Sequence, residues 1–290
     1  SELTKARSWS LWKPVPFGKT ARGKRISFLL VWTGVLIGAM PRQGKSFAAR
    51  LLAAAAALDA NARLIVFNGK HGKDWSAFQE VAHRYGAGVR DHVVESLVQT
   101  LREALEDMNR RYELLDTLSD EECPEGKVTP ELCERRDLDL PLTVIIIDEV
   151  QEYLDHEEHG KLIKALLTKL AKLAPAVGYM IVLSTQKPDG DTIPTALRDQ
   201  LAARFCLKTA NRDASKTVLG KIGDADPRPE DIDADHKGTG VLLGADVDGL
   251  AGHGSMLVRA DYMDLVGLRK VCKRGRELRE VRSEEHTSEL

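Results

Sequence analysis

At 290 residues the chain is long enough for one large or two small domains with an ample core. Its 43% hydrophobic and 30% charged content is that of an ordinary globular protein. A net charge of −2 excludes a global attraction to nucleic acid, so any such binding has to come from a local basic lining.

The N-terminus lacks the apolar segment of a signal peptide. Ser1 is not a start methionine, so the chain reads as an excised or mature fragment, with any membrane anchor outside it. Residues 1–33 form an N-terminal lead-in segment. Trp9 and Trp12 precede a Pro-rich turn at 13–18, a basic hairpin-like stretch at 19–25 and a strand at 26–32. The tryptophans are read as packing on the core. The longest apolar run, 28–40, is shorter than the ~20 residues of a bilayer span and reads as buried strand.

A strand at 35–37 leads into a loop, and an Ala- and Leu-rich helix follows at 47–58. The next strand is 63–67, followed by a polar turn at 68–74 and a helix at 75–85. In 93–118 the apolar residues recur every three or four positions, which predicts a long amphipathic helix. Residues 120–139 are polar, contain two prolines and read as an exposed insertion. The apolar, mostly β-branched run 142–147 predicts a central parallel strand covered on both faces.

Further on, 161–174 is a second amphipathic helix and 179–183 a buried strand. A short helix at 195–202, a strand at 204–208 and an acidic loop at 225–237 follow. Residues 240–243 and 255–259 read as edge strands forming a hairpin around 249–254. Alternating strands and helices predict a doubly wound, mainly parallel α/β sheet with its ligand at the strand C-terminal ends. The main α/β domain is placed at 34–268. Residues 269–282 read as a basic tail. The last segment, 283–290, matches no pattern of the domain and reads as a non-native tail.

Cys123, Cys133, Cys206 and Cys272 form no CxxC pair and are read as free thiols of a reducing cytoplasm. No histidine pair has convincing metal spacing. His156 and His159 are read as solvated surface.

Ala39-Met40-Pro41-Arg42-Gln43-Gly44-Lys45-Ser46 matches a phosphate-binding loop, with Gly38 before it and Phe47 after it. Such a loop needs backbone N–H groups turned inward, one lysine, one hydroxyl and a helix N-terminus behind them. Ala39 stands where glycine is usual, and alanine restricts positive φ. Lys45 is the candidate for the β- and γ-phosphates of a bound nucleotide and Ser46 for Mg²⁺. Asp148 and Glu149 end the apolar strand, Asp148 as the second Mg²⁺ residue and Glu149 as the base for an attacking water. Gln186 ends the next strand and suits a γ-phosphate sensor. Arg204 is the candidate arginine finger acting in trans, with a surface ion pair as the alternative.

Taken together, LWKPVPFG, LIGAMPRQGKSFAARLL, VAHRYGAG, MNRRYELL, VTPEL, IDEVQEYL, LSTQKPD, RFCLK and VLG occur in order. They resemble the motor domain of the FtsK/SpoIIIE family, in its actinobacterial, conjugation-associated (TraB-like) branch. The resemblance covers about 11–264. It implies a RecA-like P-loop NTPase fold, a homo-hexameric ring and ATP hydrolysis coupled to pumping double-stranded DNA, in conjugative transfer or chromosome partitioning. It also implies work at the cytoplasmic face, with an anchor in the inner membrane outside this fragment. Asn68-Gly69-Lys70 departs from the acidic residue usual in the family at that turn. No winged-helix module follows, which implies sequence-neutral DNA contacts, with Lys187, Arg198, Arg212 and Lys216 as candidates. The alternatives are a ring ATPase of a protein secretion or coupling system and a nucleotide-binding module with little turnover.

Overall fold

The computed structural model describes residues 1–247 and 254–288. In chain order the elements are β1 (Val15–Lys19), β2 (Arg25–Phe28), β3 (Val35–Gly38), α1 (Lys45–Ala57), β4 (Arg63–Asn68), β5 (Arg84–Ala87) and α2 (Asp91–Asp116). They continue with α3 (Pro130–Glu134), β6 (Thr143–Asp148), α4 (Gln151–Leu154), α5 (Gly160–Leu173), β7 (Tyr179–Thr185) and α6 (Thr195–Arg198). The last are β8 (Ala203–Leu207), α7 (Arg212–Leu219), β9 (Thr239–Leu243), β10 (Ser255–Ala260) and α8 (Leu265–Ser288).

The described strands all join one sheet in the order β2-β1-β10-β9-β8-β3-β7-β6-β4-β5. From β8 to β5 the pairing is parallel, and from β8 to β2 it is antiparallel. The parallel half buries both faces. Every residue of β6 and β7 is buried, as their continuous apolar runs require. The alanines of α1 let that helix lie close against the sheet, and eleven of its residues are buried. In α2 the predicted stripe of Val94, Leu97, Leu101, Met108 and Leu115 faces the core.

Several expectations differ. The segment 75–85 is not a helix: it is a 3-10 turn, Ser76–Glu80, followed by β5. Here the fully buried Trp75 and Phe78 side chains and the pairing of β5 with β4 outweigh local helical preference. Strands β9 and β10 do pair antiparallel but are not at the edge. The hairpin β1–β2 covers them, so the segment 1–33 contributes two strands to the sheet. The hairpin loop expected at 249–254 lies, but for Gly254, outside the described residues. The insertion 120–139 is only partly exposed, because Val128, Leu132 and Leu138 are buried.

Finally, the basic stretch 269–282 is part of α8 rather than a tail. Its Val271 and Cys272 are fully buried, and Arg279 donates to the carbonyls of Ala56, Ala57, Asp59 and Ala62 at the C-terminal end of α1. The main chain of α8 runs on to Ser288, so most of 283–290 continues this helix. Among the described residues no helix is long and apolar enough to cross a membrane.

Candidate active site

Parallel pairing brings three strand ends together. Gly38 of β3 lies opposite Thr185 of β7, and Ile147 of β6 lies opposite Leu183 of β7. Strand β7 therefore stands between the strand that leads to the loop and the strand that ends in Asp148. The loop's geometry follows from two glycines. Gly44 has φ 99° and forms the N-cap of α1, where a side chain would be strained. Gly38 allows close packing, since a Cβ there would lie 2.2 Å from Val218 Cγ2. Ala39 is buried and is not among the positive-φ residues; the left-handed positions in the loop are Arg42 and Gly44. Alanine is thus no obstacle where it stands.

Lys45, only 4% exposed, donates from Nζ to Asp148 Oδ1 at 2.6 Å and to Glu149 Oε1 at 2.7 Å. Ser46 Oγ donates to Asp148 Oδ2 at 2.9 Å. Gln186 Nε2 donates to Glu149 Oε1, so Lys45, Ser46, Asp148, Glu149 and Gln186, all five predicted from the sequence, meet. Burial pushes the Asp148 carboxyl up, but Lys45, Ser184 and Trp75 outweigh it and hold it below its ordinary range. Glu149 is likewise pushed up by burial and held down overall by Lys45 and Gln151, with Asp148 opposing them.

Several partners were not visible in the motifs. Trp75 Nε1 donates to Asp148 Oδ2 at 2.7 Å, and Ser184 Oγ donates to Asp148 Oδ1. Gln151 Nε2 holds Glu149 Oε2 at 2.6 Å and is itself held by Thr185 Oγ1 at 2.8 Å. Lys70 Nζ lies 3.4 Å from Glu149 Oε1. The polar turn that departs from the family pattern thus reaches the candidate base. Glu149 has φ 51°, a sparsely populated conformation that aims its side chain back across the strand ends. Ser184 and Thr185 lie in the strand end that leads to Gln186, and Lys70 in the turn singled out in the sequence; Trp75 carried no such hint.

Arg204 is not brought to this cluster. It sits at the opposite end of β8, paired with Leu36, and donates to the carbonyls of Arg198, Leu201 and Leu219. Of the candidate DNA-contacting residues, Lys187 is exposed at the end of β7, near Asp155 and Asp189. Arg198 pairs with Asp199, and Arg212 pairs with Glu230. Lys216 lies on α7, where its carbonyl accepts from Arg198.

The loop opens on a cavity of about 280 Å³ lined by Met40, Arg42 to Phe47, Arg50, Asp74, Gln186, Tyr262 and Leu265. The first turn of α1 has no side-chain cap, which leaves its amides facing an anion-binding position. A lysine, a hydroxyl and two carboxylates beside such a turn suit a Mg²⁺-bound nucleoside triphosphate.

No protein-family model matches the chain. A DNA translocase FtsK of Borreliella burgdorferi is 30% identical over 216 residues, 72% of this chain and 27% of that protein. FtsK of Treponema pallidum is 30% identical over 129 residues, 43% of this chain and 16% of that one. The chain thus spans about a quarter or less of these relatives. In fold, the pCW3 conjugation coupling protein TcpA matches with TM-score 0.66 and 17% identity, over 89% of this chain and 69% of that one. The cytoplasmic domain of the Thermomonospora curvata type VII secretion ATPase EccC matches with TM-score 0.67 and 21% identity, over 96% and 32%. The fold is the RecA-like α/β fold of P-loop ATPases.

Proposed function

The chain is an FtsK/SpoIIIE-type motor domain, and we propose that it hydrolyses ATP to move double-stranded DNA. The observation that supports this best is the meeting of Lys45, Asp148, Glu149 and Gln186 at the ends of β3, β6 and β7. ATP would be held by 38–47. Ser46 and Asp148 would hold Mg²⁺, which supplies charge neutralisation at the phosphate oxygens when bound. Glu149 takes the proton of the attacking water at a carboxylate oxygen. Gln151 fixes the orientation of that carboxylate, and Gln186 links it to the end of β7. Lys45 contributes a buried positive charge. The protein's work is positioning and electrostatics rather than covalent chemistry.

The working assembly is a homo-hexameric ring in which DNA is gripped by its phosphates, with strong salt dependence. Arg204 acts from a neighbouring copy in this proposal, after releasing its three carbonyls. The activity belongs to the conjugation-associated (TraB-like) branch and operates at the cytoplasmic face, anchored in the inner membrane through sequence outside this chain. A protein-moving motor is the second reading, because the fold matches EccC as well as it matches TcpA. The sequence relatives favour DNA.

ATP turnover measured with and without duplex DNA at low salt tests the proposal. Duplex is expected to stimulate turnover, Glu149→Gln to abolish it with ATP binding retained, and Lys45→Ala to abolish both. No stimulation by any duplex would overturn the DNA reading. Full turnover in Lys45→Ala would overturn the site.

A further inference from the structure

Tyr262 is a large aromatic side chain left 67% exposed, directly beside the phosphate-binding loop. It follows β10, and its ring lies 5.0 Å from that of Phe47, tilted by 38°. Phe47 is the residue after Ser46, so this aromatic pair starts where the loop ends. The guanidinium of Arg50 also lies over the Phe47 ring, 4.3 Å from its centre. Arg50 is 4% exposed and lines the same cavity; it gives Nη1 to the Asp74 carbonyl, while its Nε has no hydrogen-bond partner among the described residues. Leu265 and Met40 supply apolar walls.

The segment carrying Tyr262 is braced. The neighbouring Asp261 is held by Arg25 through two bonds of 2.8 and 2.7 Å, and its N–H donates to the Phe17 carbonyl at 2.8 Å. The N-terminal hairpin thus anchors the main chain at residue 261, directly before this aromatic residue. Presenting a ring to solvent on a rigid support, within one cavity of a helix N-terminus, makes a stacking platform for a planar base whose phosphates lie at the loop.

We infer that Tyr262, stacked against Phe47, holds the base of the bound nucleotide, with Arg50 and Leu265 closing the same pocket. This rests on the nucleotide reading of the loop. Stacking uses the π-face that every base possesses, so Tyr262 contributes affinity for the base as a class. Its phenol oxygen is not needed for this, and phenylalanine suffices in its place.

Calorimetric titration of the intact chain in Mg²⁺ buffer with ATP and with tripolyphosphate, which carries no base, tests the inference. Tyr262→Ala should weaken ATP binding by about tenfold, leave tripolyphosphate binding within about twofold of wild type, and be rescued by Tyr262→Phe. Circular dichroism of the variants checks that they remain folded, as expected for so exposed a side chain. ATP affinity unchanged in Tyr262→Ala, or tripolyphosphate weakened as much as ATP, would overturn the inference while leaving the loop assignment standing. Failure of wild type to bind either ligand would overturn both.

Discussion

The indole N–H of Trp75 donates to Asp148 Oδ2 across 2.7 Å in the interior of the protein. This couples the turn 69–75 to the strand end that carries the candidate metal carboxylate. Gly69 N–H bonds the Asp148 carbonyl at 2.9 Å, and Arg50 holds the Asp74 carbonyl from α1. The turn is therefore fastened to both halves of the phosphate site. Trp75→Phe keeps most of the packing against Phe78 but removes the donor. A hydrogen bond to a charged group contributes about 1.5–3 kcal/mol, and a loss of that size is expected in urea unfolding. The Mg²⁺ concentration for half-maximal nucleotide binding should rise at the same time. An unchanged Mg²⁺ dependence would show that Trp75 only packs.

Lys45 compensates two buried carboxylates, so its removal should show in the pH dependence of stability. Asp148 and Glu149 have carboxyls held below their ordinary range, against the upward push of burial, chiefly by Lys45. A depressed folded pKa gives stability that is present above the unfolded value of about 4 and lost as pH falls through the folded value. In Lys45→Ala burial acts without that compensation, and the sign reverses. The destabilisation should reach about 3 kcal/mol at pH 7 and shrink toward pH 4. Denaturant unfolding of both proteins at the two pH values measures this, and a pH-independent difference would contradict it.

The parallel half of the sheet was legible in the sequence because its strands are buried on both faces. The run ending in Asp148 states that burial directly, as does the one ending in Thr185. The loop and its carboxylates were legible because one chemistry demands those residue types at strand ends. Trp75 was not, since a tryptophan in a polar turn gives no sign of the carboxylate 73 positions away. Tyr262 was hidden for the same reason, as its neighbour Phe47 is set by the sheet and not by spacing. The run 269–282 misled because its charges suggested solvent. Its arginines bond main-chain carbonyls at the end of α1 and just beyond it, a role that composition does not display.

Arg279 carries that role most clearly. Its guanidinium binds carbonyls of the last turn of α1 and the following loop, where the helix dipole favours a positive charge. Arg279→Ala should cost about 2–3 kcal/mol in denaturant unfolding and leave ATP affinity unchanged, because the phosphate loop is at the other end of α1. Arg279→Lys should recover only part, since a single ammonium cannot reproduce the planar fork. A cost below about 0.5 kcal/mol would mean that α8 is dispensable at this point.

Gly38 ends β3 immediately before the loop, and its lack of a side chain is what lets α7 pack there. An added methyl would sit 2.2 Å from Val218 Cγ2, and Val218 is fully buried. Gly38→Ala should therefore destabilise by about 1–3 kcal/mol and displace the loop, weakening nucleotide binding. Val218→Ala alone should also destabilise, by opening a cavity. Combined, each change relieves the other, so the double variant should lose less than the sum of the two single losses, with a coupling of about 1 kcal/mol or more. Recovery of nucleotide affinity in the double variant would place the effect at the Gly38–Val218 contact. Strict additivity in stability, with affinity still lost, would place it instead in the backbone conformation at residue 38.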